Sequence, residues 1–352
     1  MIKIGFDARM IRHSGIGTYI RGVLKHLVEK TNLDLTLFGD LVKIANYPAR
    51  KVLADFPIYS IREQVFFPKL LRKNPVQLLH VPHYNAPLGV SGPLIITLHD
   101  LIHLKFPPSR LAYFYARGMI EAVCKKAKVI LVDSQNTKQD LLQILGSLEK
   151  KIQVVYPAVS EEFLNPPSSP INGPSPSLPK EPYLLYVGNV RPTKNIKILI
   201  ESFLLAKKEL KDLSLRIVGK DSMPEYTRAF KDRSDIRWLG EIPTAKLFQV
   251  YREARIFIFP SLYEGFGLPP LEAMASGVPV ISSNAASLPE VVGDSALLFD
   301  PRNPQELADL IIHLWRDDAK IKELIFKGKE RVKQFSWKRC ADEIAQVYQE
   351  CI

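Results

Sequence analysis

The sequence has 352 residues, of which 46% are hydrophobic and 24% charged, a length and balance that suit two globular domains and exclude a disordered or fibrous chain. No run of eighteen apolar residues occurs, which excludes a membrane-spanning helix, and Lys3 and Asp7 interrupt the stretch that a secretory leader would keep apolar. The net charge of +11 is uneven, with +9 in residues 1–165 and +2 in residues 166–352, so the first half suits an anionic partner, although plain solubility explains it as well.

The first strand is expected over Ile2–Phe6, followed by the loop from Asp7 to Tyr19 and an amphipathic helix. Gly15 and Gly17 are placed like the start of a dinucleotide loop. The third glycine of G-x-G-x-x-G would fall at Ile20, however, so that fingerprint fails, and a plain turn before a helix stays open. Strands follow at Leu33–Phe38, Val76–Val81, Leu94–Leu98, Val129–Val132 and Ile152–Val155. Between them, Arg62–Lys73 mixes basic with bulky apolar residues, as in a core-facing helix with solvated lysines or in one lying on an anionic membrane surface. His80 and His83 straddle a strand end at Pro82 with no cysteine or carboxylate cluster beside them, so no metal site is expected. His99 stands at the end of a buried strand in Thr97-Leu-His-Asp100, as a structural histidine or a site residue. Ser134 reads as an ordinary helix N-cap. Cys124, Cys340 and Cys351 are scattered, which fits a reducing, cytoplasmic compartment.

Residues 166–181 are rich in Pro, Ser and Gly and read as an extended linker. Beyond it, strands are expected at Tyr183–Val187, Leu215–Val218, Ile236–Leu239, Ile256–Phe259, Val278–Ile281 and Ala296–Phe299. These runs are apolar throughout, as in strands buried on both faces of a parallel sheet, and the helical stretches between them imply βαβ crossovers. The expected architecture is therefore α/β, with Rossmann-like, doubly wound domains over 1–165 and 182–335 facing each other across a cleft. A tail helix over 336–352 is expected to pack back on the first of them.

The densest chemistry lies between Phe259 and Ile281. A strand ends at Pro260, a loop holds Glu264, Gly265, Phe266 and Gly267, and Pro269-Pro270 open a helix that carries Glu272 and is capped by Gly277. Ligands of doubly wound sheets bind at this carboxyl edge, glycines let backbone amides approach them, and carboxylates suit sugar diols. A lone acidic residue near a helix start also has a plainer account in the helix dipole; for Glu290, after the loop 282–289, that is the preferred one.

Glu264 and Glu272, with the surrounding Glu-Gly-Phe-Gly-Leu-Pro-Pro-Leu-Glu-Ala-Met-Ala-Ser-Gly-Val-Pro-Val run, resemble the E-x7-E signature of retaining glycosyltransferase family 4. Tyr186–Asn195, Val218-Gly219, Leu239-Gly240 and Ser287–Gly293 stand where that family has equivalents, so the resemblance spans nearly the whole chain. It implies a GT-B fold and a nucleotide diphosphate sugar as donor substrate, with no cofactor or metal. Arg191 and Lys194 would hold the diphosphate, a task that fits a guanidinium and an ammonium. Gly188 would let the backbone near the β-phosphate, Glu272 would hold the ribose, Glu264 the transferred sugar, and backbone around Gly265, Phe266, Gly267 and Leu268 would meet sugar or phosphate. Gly15, Gly17 and His99 would complete the site from the first domain. Asp7-Ala-Arg, Ser14-Gly-Ile-Gly, Leu98-His-Asp-Leu and Ser287-Leu-Pro-Glu resemble the mannosyltransferase branch, which implies GDP-mannose and a glycan or lipid-linked acceptor. A UDP-sugar donor, a nucleotide-sugar 2-epimerase and a glycosyl phosphorylase share the architecture and remain alternatives. A nucleic-acid partner is not expected, because no known nucleic-acid-binding motif appears.

Overall fold

The computed structural model describes residues 1–146, 148–164, 182–230 and 232–352. The expected linker 166–181 lies outside the described residues. The chain divides into two compact units: Met1–Ala158 with Phe335–Ile352, and Val159–Gln334.

In the first unit, strands β1 (Ile2–Asp7), β2 (Leu33–Gly39), β3 (Arg50–Leu53), β4 (Leu78–Val81), β5 (Leu94–Leu98), β6 (Val129–Val132) and β7 (Ile152–Val154) form one parallel sheet. The order is β3-β2-β1-β4-β5-β6-β7. Central strands are buried on both faces, as their unbroken apolar runs require: Ile4, Phe6, Ile95, Ile96, Ile130 and Leu131 are all fully buried. Strand β3 was not expected from sequence. Its residues Arg50-Lys-Val-Leu53 are half-exposed at the sheet edge, so it lacks the buried apolar signature that marks the others.

Helices Ile61–Lys73, Arg110–Lys126 and Gln135–Leu145 contribute Phe67, Leu71, Ile120, Val123 and Leu141 to one core against the sheet. The C-terminal helix Trp337–Glu350 packs on helix Ile16–Leu27 in the same unit. Close approach there depends on Gly22, where a Cβ would lie 2.3 Å from the Trp337 ring. Tyr348 seals the contact by a 2.6 Å hydrogen bond to His80 Nδ1, and Lys30 pairs with Asp342.

The second unit holds β8 (Leu184–Val187), β9 (Leu215–Val218), β10 (Ile236–Gly240), β11 (Ile256–Phe259), β12 (Val280–Ser283) and β13 (Ala296–Phe299). They form a parallel sheet in the order β10-β9-β8-β11-β12-β13. The first unit ends at Ala158 rather than at residue 165, and the second begins at Val159 rather than at residue 182, because Phe163 of the short helix Glu161–Leu164 is buried against Phe248 and Tyr251, with ring centroids 6.2 and 5.6 Å away.

Sheet order fixes where each unit can hold a ligand. In the first, the chain turns back between β1 and β4, and in the second between β8 and β11. A crevice opens at the carboxyl ends of strands on either side of such a switch point.

Candidate functional site

In the second unit the two strands flanking the switch point deliver the expected donor-binding residues. The loop after β8 carries Gly188, Arg191 and Lys194; the loop after β11 carries Glu264 to Gly267 and leads into helix Leu268–Ala275. A backbone hydrogen bond from Leu262 N–H to the Thr193 carbonyl (2.8 Å) ties the two loops. Lys194 Nζ then lies 2.5 Å from Glu264 Oε1 and 5.4 Å from the centroid of the Phe259 ring. Both members of the pair are mostly buried, at 20% and 15% side-chain exposure, yet accessible to a ligand. Arg191 is exposed at the N-cap of the turn Pro192–Lys194 and makes no side-chain hydrogen bond or ion pair among the described residues.

Glycine is required where these loops pass close to other groups. Gly219, at the end of β9, has φ 136°, and a Cβ there would lie 2.1 Å from the Gly188 carbonyl oxygen. Gly267 has φ 109°, and its Cβ would meet Leu288 at 2.6 Å. Gly267 is also the N-cap of helix Leu268–Ala275, with Pro in the first turn and no side chain capping the helix start. That leaves the end of the dipole bare for an anion or a sugar hydroxyl. Ser287 holds the loop from behind: its buried hydroxyl lies 2.9 Å from the Glu264 carbonyl and 2.8 Å from the Phe266 carbonyl. Reading the sequence assigned Ser287 no role of its own. Its signal was only its place in Ser287-Leu-Pro-Glu290, and Glu290 does sit in the first turn of helix Leu288–Val292.

Glu272 lies one turn into helix Leu268–Ala275. Its Oε2 accepts the Tyr251 hydroxyl at 3.0 Å. Burial raises its carboxyl to about 7, although the Tyr251 hydrogen bond works the other way. Near neutrality this side chain is balanced between acid and carboxylate.

The residues expected in the first unit lie at the carboxyl edge of its sheet, after β1 and β5. Gly15 (φ 73°) is the N-cap of helix Ile16–Leu27, and a Cβ on Gly17 would lie 2.6 Å from the Ile11 carbonyl oxygen, so the loop folds tightly onto itself. Tyr19 of the same helix packs edge-on to His99 with centroids 4.7 Å apart. His99 follows β5, with Nδ1 2.7 Å from Asp133 Oδ2 and Nε2 3.2 Å from the Pro82 carbonyl. Burial opposes its charge, but Asp133, Asp100 and that carbonyl outweigh burial and hold it above the usual histidine range. Both ring nitrogens face acceptors, which is the arrangement of an imidazolium.

Sequence reading missed Asp133, and it missed a second buried cluster. Arg9 donates to Asp7 (2.9 and 2.6 Å) and to Glu63 (2.5 Å), with its guanidinium 5.0 and 4.8 Å from the Phe56 and Phe67 ring centroids. Asn85 donates to Glu63 and accepts the Tyr115 hydroxyl at 2.7 Å. His80 and His83 are closed to a metal by their protein partners. His80 contacts Tyr348 and Thr97; His83 contacts Tyr59 at 2.7 Å and accepts the Asn85 N–H at 3.0 Å. Burial pushes both down to about 3. Among the described residues, no group of three or more His, Cys, Asp or Glu could hold a metal ion.

Comparison with known proteins places this arrangement. Residues 13–163 match the family described as Glycosyltransferase Family 4, and residues 171–331 match Glycosyl transferases group 1. O-antigen chain mannosyltransferase B of Escherichia coli is 30% identical over 285 residues, 77% of this chain and 74% of that one. Serotype-specific mannosyltransferase WbdA of E. coli is 29% identical over 270 residues, and the match spans 72% of this chain but only 33% of that longer protein. Among solved structures, Anabaena Alr3699/HepE in complex with UDP and glucose superposes with a TM-score of 0.76, at 19% identity and covering 99% of this chain and 100% of that one. WaaG, a glycosyltransferase involved in lipopolysaccharide biosynthesis, gives 0.77 at 13% identity, over 98% and 99%. Two Rossmann-like parallel-sheet units of the GT-B type, both family matches and the paired glutamates after β11 lead to one conclusion: the chain belongs to glycosyltransferase family 4 and is a glycosyltransferase.

Proposed function

We propose that the chain transfers mannose from GDP-mannose to a hydroxyl of a glycan or lipid-linked acceptor, with retention of configuration, in O-antigen-type polysaccharide assembly at the cytoplasmic side of a membrane. The observation that carries the donor site is the Lys194–Glu264 pair beside the exposed Arg191 at the second switch point. A diphosphate arriving there competes with Glu264 for Lys194, and Arg191 supplies a second, bidentate cation. Glu264, released from Lys194, accepts a hydroxyl of the transferred sugar. Glu272 accepts the ribose hydroxyls, and the backbone at Gly188 and from Gly265 to Leu268 contacts phosphate or sugar.

Leaving-group charge then falls on Arg191 and Lys194, which makes a metal unnecessary. Retention follows from attack on the face that the diphosphate leaves, with the departing phosphate taking the acceptor proton. No carboxylate is assigned as a nucleophile, unlike in a retaining glycosidase. His99, Gly15 and Gly17 serve the transferred sugar and the diphosphate from the first unit. Because both His99 nitrogens already have acceptors, its contribution is positive charge rather than a vacant lone pair.

Mannose is favoured by the mannosyltransferase names of the relatives at 29–30% identity. A UDP-sugar is the second reading, supported by the UDP and glucose held by a protein of the same fold. Incubation with GDP-mannose or UDP-glucose and a mannose-terminated acceptor distinguishes them. An α-mannosylated product by NMR supports the proposal; glucosyl transfer keeps the glycosyltransferase and discards mannose; a β-product discards retention.

A further inference from the structure

Helices Ile61–Lys73 and Arg110–Lys126 repeat one surface pattern. Arg62-Phe66-Lys69 and Arg110-Phe114-Arg117 each place a phenylalanine between two basic residues at spacings of four and three, which is one face of a helix. Their opposite faces are spent on the core through Phe67, Leu71, Ile120 and Val123. The outer phenylalanines are open to solvent, Phe66 at 49% and Phe114 at 66%. Asn85 links the two helices through the buried Glu63 and through Tyr115, the neighbour of Phe114.

Nothing in the packing accounts for aromatic residues at the centre of charged faces. Of the sixteen exposed large apolar side chains among the described residues, twelve lie between Leu41 and Tyr115, so exposure is concentrated rather than scattered. Charge follows the same map: residues 59–126 hold nine Lys and Arg against three Asp and Glu, and one of the three, Glu63, is buried against Arg9. The Lys69 ammonium lies over the Phe66 ring, 5.5 Å from its centroid, so charge and aromatic face sit together on this surface. No helix among the described residues is long and apolar enough to cross a membrane, so any attachment by these helices is to its surface.

We propose that this surface docks on an anionic phospholipid bilayer, with Phe66 and Phe114 entering the acyl boundary and Arg62, Lys69, Arg110 and Arg117 at the headgroups. Paired apolar and basic residues of this kind give reversible interfacial binding that depends on anionic lipid and on salt. The inference deepens the proposed function, and rests on it only in that a lipid-linked acceptor is presented at such a surface.

The test is co-sedimentation of the full chain with phosphatidylcholine vesicles, with and without phosphatidylglycerol. Binding is expected only with the anionic lipid at about 0.1 M salt, and is expected to vanish near 1 M, where the Debye length falls from about 10 to about 3 Å. Arg62→Glu with Lys69→Glu should weaken it by about tenfold or more. Phe66→Ser with Phe114→Ser should weaken it without changing its salt dependence. Melting shifts with nucleotide, unchanged in these variants, show that fold and donor site are intact and report on the donor reading separately. Equal binding to both vesicles, none to either, or binding indifferent to both pairs of substitutions would overturn the proposal. A lipid-free dimer that the same substitutions dissociate would assign the surface to a second copy of the chain instead.

Discussion

Around Asp7 and Arg9, at the carboxyl edge of the first sheet, charge is deeply buried in a network that leaves Arg9 Nη1 without a hydrogen-bond partner among the described residues; around Lys194 and Glu264, at the equivalent edge of the second, it is more accessible and held by a single ion pair. Arg9, Asp7 and Glu63 have side-chain exposures of 5%, 7% and 0%, and Glu63 has a further donor in Asn85. His99 and Asp133, at 14% and 9%, form a second buried pair, through Asp133 Oδ2 alone. In the second unit, Lys194 pairs with Glu264 beside the Phe259 ring, and Arg191 has no side-chain hydrogen bond or ion pair among the described residues. A buried network of several charges fixes a loop, whereas an accessible single pair can exchange its partner for a ligand, which is why the proposed donor site is assigned to the second unit's switch point.

Removing charge separates the two cases. Arg9→Met should destabilise the first unit most, by about 3–5 kcal/mol, since it strands two buried carboxylates. Denaturant unfolding reads this, and a change near zero would mean that the network is not structural. Asp133→Asn should cost less, about 1–3 kcal/mol, through loss of a hydrogen bond to charge. Its sign with pH is specific. A histidine held above its usual range contributes stability that is full below its unfolded value of about 6.5 and lost as pH rises through the folded value, so the variant's deficit should shrink in alkaline buffer. A deficit that is flat across pH would show that His99 is not the group affected.

Glu272 is expected to impose a dependence of the same sign on the second unit, in a more acidic window. Its carboxyl is raised from 4.5 to about 7, so the fold favours the acid and loses stability as pH rises from about 4.5 to about 7, while the proposed ribose contact needs the carboxylate. Nucleotide affinity should therefore fall by about tenfold per pH unit below 7, and Glu272→Gln should lose the affinity and its pH dependence while melting higher than the parent above pH 7. The smallest change in stability, about 0–1 kcal/mol, is expected for Lys194→Ala, although nucleotide affinity should drop by tenfold or more. A large loss of stability with unchanged affinity would place that pair with the structural networks of the first unit.

Legibility in the sequence follows the same division. Both sheets could be read because strands buried on two faces are mainly apolar, with few interruptions such as Arg216 and His80, and only the half-exposed edge strand Arg50–Leu53 was silent. The proposed donor residues could be named because they fall in two short loops whose glycines and prolines are dictated by local backbone geometry and match a family signature. The partners in the first unit could not. Arg9 and Glu63 are 54 residues apart and His99 and Asp133 are 34 apart, and no local rule distinguishes a buried carboxylate from a solvated one before the fold joins them. Ser287, 23 residues from Glu264, was missed for the same reason. The first division between the units moved from residue 165 to Ala158 because only packing shows that Phe163 belongs to the second core.

The most direct test of the donor site is thermal melting with GDP, UDP, ADP and their sugars, with and without EDTA. The account predicts selective stabilisation by GDP and GDP-mannose, insensitive to EDTA and abolished by Glu272→Ala. Absence of stabilisation by every nucleotide, or stabilisation that survives Glu272→Ala unchanged, would contradict it.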